Sequence, residues 1–234
     1  MKEHLSILID DKNIDLWNEL SEIYEIELIA SPEELYRSKV SDNIALIYIN
    51  EKELSSISFT RELLQLYLKS KNVTIAEDFD NALKNSERID TLFSNGLKEH
   101  IINCLENELV LPIFLKMGYK NQSFTDDFNS PKMNKKMLDM LLERYENKGV
   151  YDREALEFFI GTFLAMKSCN NVSFNYHKYF IAFQKLDKRL YFLLSEFWLD
   201  WKTYDFQDDA DHYDKILQYF IADVKNWISK KKIS

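Results

Sequence analysis

The chain has 234 residues, of which 46% are hydrophobic and 14% aromatic, with 16 Phe, 13 Tyr and 4 Trp. That content can bury a sizeable core and excludes a disordered chain. The formal net charge of −9 argues against broad contact with nucleic-acid phosphates, which needs a basic surface, so no nucleic-acid partner is expected.

In chain order, Met1-Lys2-Glu3-His4 carries no signal-peptide pattern, and no apolar run is long enough to span a bilayer. A cytoplasmic protein without a membrane partner is expected. Leu5 to Ile9 reads as a short strand. Asn13 to Tyr24 carries Leu16, Trp17, Leu20 and Ile23 at helical spacing. Ile26 to Ile29 is a second strand. Ser31, Pro32 and Glu34 form the N-terminal signature of a short helix. Ile44 to Ile49, continuously apolar between Asn43 and Asn50, is the clearest strand. A helix follows over about 58–70, then a polar connector from Asp80 to Asp90.

Leu92 to Gly118 is a long helix with Leu97, Ile101, Leu105, Leu109, Ile113 and Met117 on one stripe. Pro112 should kink or break it near Glu108, and Gly118 should end it. From Pro131 onward everything reads helical: Met133–Tyr145, Asp152–Lys167, Tyr176–Tyr204 and Asp211–Lys230. The aromatic stripe of the third segment (Tyr179, Phe180, Phe183, Tyr191, Phe192, Phe197, Trp198, Trp201) is expected to be core. The triplet Lys230-Lys231-Lys232 reads as a solvated tail. The expected fold is α+β and mostly α. A small α/β half (1–128) precedes an all-helical, aromatic-rich half (129–234).

Few residues suggest chemistry. Cys104 and Cys169 lack a metal spacing and read as buried free thiols. None of His4, His100, His177 and His212 has a His partner at metal spacing. His100 precedes Cys104 by one helical turn and could meet it, and His100 with Glu106 could offer two ligands of a metal site. Asp205, Asp208, Asp209, Asp211, His212 and Asp214 form an acidic cluster between two helices. Such a cluster can hold a hard cation, but Asp there is also a common cap or a patch for a basic partner. No phosphate-binding glycine loop and no nucleophile elbow is present.

The segment Phe59-Thr60-Arg61-Glu62-Leu63-Leu64-Gln65-Leu66-Tyr67-Leu68 follows the Ile44–Ile49 strand. It precedes a helix bearing Asn103-Cys104-Leu105-Glu106, and then Gly118-Tyr119 and the turn Phe124-Thr125-Asp126-Asp127. This order resembles the zincin-type metallopeptidases, closest to the group related to the ImmA/IrrE peptidases. The resemblance implies that Glu62 matches the catalytic base and Glu106 the third zinc ligand, while Arg61 and Gln65 replace both His ligands of the H-E-x-x-H helix. Arg cannot be a ligand and Gln is a poor one, so no catalytic set, cofactor or metal is expected. Arg61 could replace the metal's charge by forking to Glu106. In the plainer alternative, Arg61, Glu62 and Gln65 form a solvated helix face.

The resemblance therefore implies a pseudoenzyme that binds a protein partner, in a prokaryotic or phage regulatory or defence setting. Two alternatives stand beside it. One is a metal-dependent hydrolase using Glu62 and Glu106. The other is a structural subunit whose aromatic helices pack into a larger assembly.

Overall fold

The computed structural model describes all residues except 1, 34, 85–88, 90, 91 and 207–212, and describes no side chain for 2–4. The fold is α+β and mostly helical. The chain divides into two compact units. The first comprises Met1–Thr74 and Leu109–Asp126, and the second Ile75–Glu108 and Asp127–Ser234. A single boundary at 128 is thus replaced by three crossings, because the second unit also takes in residues 75–108.

In the first unit, α1 (Lys2–Leu8) and α2 (Ile14–Ile23) precede a three-stranded sheet of β1 (Glu25–Ala30), β2 (Arg37–Ser41) and β3 (Ile44–Ile49). The central strand is β3, parallel to β1 and antiparallel to β2. Ala45, Ile47 and Ile49 of β3 are buried against Leu8, Leu20 and the Phe59, Leu63 and Leu66 face of α3 (Ser56–Ser70). The hairpin between β2 and β3 turns at Asp42, whose φ is 54°. Asp tolerates this left-handed conformation better than most residues.

Two expectations fail here. Leu5 to Ile9 is not a strand but the end of α1, with the Ile9 N–H donating to the Leu5 carbonyl at 2.9 Å. Helical spacing buries Leu8 and leaves Ile7 exposed, and a five-residue apolar run does not distinguish the two periods. The Ser31–Pro32 signature starts a turn rather than a helix: Ser31 Oγ accepts from the Leu35 N–H at 3.2 Å and the chain enters β2. Tyr36, just before β2, and Val40 within it pack on the core, and pairing of β2 with β3 outweighs local helix preference.

In the second unit, α4 (Ile75–Leu83) occupies the start of the expected polar connector and buries Ile75, Phe79 and Leu83. The helix α5 (Asn95–Lys116) runs through Pro112 without the expected break. Pro112 is exposed, where solvent can reach the carbonyl its missing N–H leaves free. The division between the units nevertheless falls between Glu108 and Leu109, at the carbonyl Pro112 cannot bond. Gly118, at φ +85°, ends the helix as expected.

Helices α6 (Lys135–Arg144), α7 (Arg153–Lys167), α8 (His177–Leu186), α9 (Lys188–Thr203) and α10 (Tyr213–Ile228) complete the second unit. It is not purely helical. Short strands β4 (Glu146–Asn147), β5 (Val150–Tyr151) and β6 (Lys232–Ile233) form a small mixed sheet. Residues Tyr176 to Tyr204 form two helices, because Asp187 is extended (φ −141°, ψ 93°) and caps α9 by accepting from the Leu190 N–H at 2.9 Å. Most of the aromatic stripe is core: Tyr179, Phe183, Phe197, Trp198 and Trp201 are buried, while Phe192 is exposed. Lys231 is no solvated tail residue. Its ammonium pairs with Asp187 at 2.9 Å and lies over the rings of Tyr151 and Trp227. Among the described residues no helix is long and apolar enough to cross a membrane.

Candidate functional site

Helix α3 carries the Arg61–Glu62–Gln65 pattern, and its start is fixed by Ser55, whose hydroxyl accepts from the Ser58 N–H at 3.1 Å. One face of the helix is buried through Phe59, Thr60, Leu63, Leu64, Leu66 and Leu68. Arg61, Glu62 and Gln65 are all half-buried, so the fully solvated helix face does not hold.

Arg61 is the most constrained of the three. One guanidinium nitrogen donates to the Phe124 carbonyl at 3.0 Å. The other donates to Ser58 Oγ and to Asp126 Oδ1, both at 3.1 Å. Its carboxylate partner is therefore Asp126, in place of the expected fork to Glu106. Ser58 lies one turn before Arg61, where a helix brings side chains together. Asp126 lies 65 residues on and carries no local signal. Glu106 is a half-buried residue of α5 in the second unit.

Beneath this face a buried polar network ties α3 to the rest of the first unit. Asn13, fully buried, donates to the Leu8 carbonyl and to Thr60 Oγ1, both at 2.9 Å. Thr60 Oγ1 lies 3.0 Å from the Tyr119 hydroxyl, which donates to Asp10 Oδ1 at 2.9 Å. Burial, countered in part by Thr60, pushes the Tyr119 hydroxyl up to about 12, so it remains a donor. Burial also pushes Asp10 upward. The Lys12 N–H, the Tyr119 and Ser56 hydroxyls and the Asn13 N–H outweigh it and hold the carboxyl below its ordinary value.

Burial pushes the Glu62 carboxyl above its ordinary value of 4.5, while the Ser38 hydroxyl and N–H, Arg61 and Lys69 act in the opposite sense. Between the unfolded and the folded value, the folded state holds a proton that the unfolded state has released. The Glu62 contribution to stability therefore falls as pH rises through that interval. Glu62→Gln is expected to stabilise the protein at neutral pH, with the difference vanishing below about pH 4. Urea titrations at several pH values test this, and a destabilised Gln variant at pH 7 would refute it.

The residues present do not fit zinc. The guanidinium of Arg61, which the zincin resemblance would set in the place of the first His, is fixed by three oxygen acceptors, and among the described residues no group of three or more His, Cys, Asp or Glu is placed to hold a metal ion. His100 Nε2 lies 3.0 Å from the Gly161 carbonyl, which it can only approach as a donor, so that nitrogen is not available to a metal beside Glu106. Of the acidic cluster, Asp208, Asp209, Asp211 and His212 lie outside the described residues. Asp214 begins α10 and accepts from the Lys215 N–H and from Gln218 Nε2.

His100 and Cys104 do meet, with Nε2 3.6 Å from Sγ, and Ser168 Oγ donates to the same sulfur at 3.5 Å. Burial nonetheless pushes the Cys104 thiol up to about 11, the Ser168 bond opposing it only in part. Below that pH the thiol stays neutral and unreactive. Iodoacetamide at pH 8 is expected to leave Cys104 unmodified until the protein is unfolded, as mass spectrometry of tryptic peptides would show. Rapid labelling of folded protein would contradict the packed arrangement.

Compared with known proteins, the chain matches no family model, no curated protein and no solved structure.

Proposed function

We propose that this chain is a non-catalytic, peptidase-like protein that works by binding a polypeptide. The observation that carries the reading is the fixed guanidinium of Arg61. It stands where the zincin resemblance calls for a metal ligand, and Ser58, the Phe124 carbonyl and Asp126 hold it there. A cation bound by the protein's own acceptors supplies positive charge without a Lewis acid or an activated water. Glu62 beside it faces Ser38, which gives the former base a structural role. The setting that suits a small acidic protein of this kind is regulation or defence in a prokaryotic or phage-infected cytoplasm, with no nucleic-acid partner for a chain of charge −9.

The raised Glu62 carboxyl is the one observation on the hydrolase side, since catalytic carboxyls are often tuned upward. Two measurements separate the readings. Elemental mass spectrometry of protein purified without chelator or nickel is expected to give substoichiometric zinc; near-stoichiometric zinc would restore the hydrolase. Photo-crosslinking in the native host is expected to trap one defined protein, equally well in wild type and Glu62→Gln. Loss of the adduct on that substitution would point to chemistry at Glu62.

A further inference from the structure

The outer edge of β1 has unused backbone valence. In its parallel ladder with β3, the Glu25 N–H donates to the Asn43 carbonyl at 2.7 Å and the Ser31 N–H to the Ile49 carbonyl at 2.8 Å. Alternate residues of a strand direct both backbone groups to the same side. Glu25, Glu27 and Ile29 therefore face β3, and Ile26, Leu28 and Ala30 direct their N–H and C=O groups away from it. Strand β1 lies at the end of the sheet order. Among the described residues these outward groups meet no protein partner.

Natural edge strands are blunted by proline, lysine, bulges or a covering element. Glu25–Ala30 holds no proline, lysine or bulge and keeps uninterrupted register over six pairs, and its charges are the two carboxylates of Glu25 and Glu27. The opposite edge differs: Ser38 of β2 is engaged by Glu62 through both its hydroxyl and its N–H.

Side-chain chemistry along β1 selects the occupant. Ile26 and Leu28 pack partly against the core, while Glu25 and Glu27 are exposed on the other face of the pleat. We propose that β1 is a docking edge for an extended polypeptide segment that alternates cationic and apolar residues. Its backbone would bond Ile26, Leu28 and Ala30. Its Lys or Arg side chains would lie beside Glu25 and Glu27, and its apolar side chains would continue the row of Ile26 and Leu28. This rests on the reading of the chain as a polypeptide binder and assigns that role to a surface. A second copy of this chain is the poorer occupant, because pairing two β1 strands brings the Glu25 and Glu27 carboxylates of both copies to one seam.

The test uses the full chain and an acetylated, amidated octapeptide alternating Lys and Val, with a Glu–Val octapeptide as control. The Lys–Val peptide is expected to bind at low ionic strength and weaken with salt. It should perturb amide resonances within Glu25–Ala30 and slow hydrogen exchange at Ile26, Leu28 and Ala30. The double variant Glu25→Lys, Glu27→Lys should weaken binding roughly tenfold, as each attractive cross-strand pair becomes repulsive. Leu28→Pro removes an outward N–H without removing a ladder bond and should also weaken it, with circular dichroism confirming the fold.

Absent binding, equal binding of the Glu–Val peptide, or resonance changes elsewhere would overturn the proposal. So would a wild-type dimer in sedimentation that dissociates on Leu28→Pro, since the occupant would then be a second copy. If the protein trapped by photo-crosslinking is recovered equally with Leu28→Pro, the edge assignment falls and the binding function stands. If no protein is trapped, it is the binding function that fails.

Discussion

Replacing Asp187 by Ala is expected to destabilise the second unit by about 3–5 kcal/mol, the range for leaving a buried charge without its partner. The carboxylate is buried and accepts from four groups. These are Lys231 Nζ at 2.9 Å, the Tyr145 hydroxyl at 3.1 Å, Trp227 Nε1 at 3.3 Å and the Leu190 N–H at 2.9 Å. Removing it strands an ammonium that is 13% exposed, orphans two aromatic donors and uncaps α9. Burial and the adjacent carboxylate push the Tyr145 hydroxyl well up, so it stays a donor across the physiological range.

Asp187→Asn keeps an oxygen for the cap and should be milder. Combining it with Lys231→Met should recover part of the loss, because no unpaired charge remains. Urea unfolding followed by the fluorescence of Trp198, Trp201 and Trp227, all in the second unit, would check this. An Asp187→Ala midpoint within error of wild type would show that the network contributes nothing net.

Asn13→Ala should unfold the first unit more readily by about 2–4 kcal/mol, because it leaves several buried polar groups without partners. The Asn13 amide bonds the Leu8 carbonyl and Thr60 Oγ1, and its oxygen accepts from the Asp10 N–H, each at 2.9 Å. The side chain thus joins the end of α1, the loop before α2 and the helix that presents Arg61. Trp17, whose ring lies 5.8 Å from that of Phe59, reports this unit when the other three Trp are replaced by Phe in a shared background. Tyr119→Phe should cost about 1–2 kcal/mol, since Asp10 keeps its backbone donors. A larger effect for Tyr119→Phe than for Asn13→Ala would reverse the order argued here.

The α3 helix, β3 and the Gly118 stop were legible because each is long or carries a marker tied to one geometry. The errors cluster where a short segment satisfies two periods or where a neighbour decides. Leu5 to Ile9 fits a strand or a helix, and packing of Leu8 chose the helix. Ser31-Pro32 promised a helix, and the free side of β3 claimed the next residues as β2. Asp187 reads as an ordinary polar residue within an aromatic helix. Its extended backbone and its cap on the Leu190 N–H end one helix and start the next, and Lys231, 44 residues on, pairs with the same carboxylate.

The candidate site divides the same way. Sequence alone determined that Arg61 and Gln65 stand at positions one turn apart, and that neither residue type makes a good zinc ligand. Ligand chemistry belongs to the side chain itself and needs no fold to be read. Only the tertiary structure decided that Arg61 answers to Asp126 and the Phe124 carbonyl, that Glu62 faces Ser38, and that β1 stands at the end of the sheet. Those are long-range pairings, selected by which chain segments the core brings together.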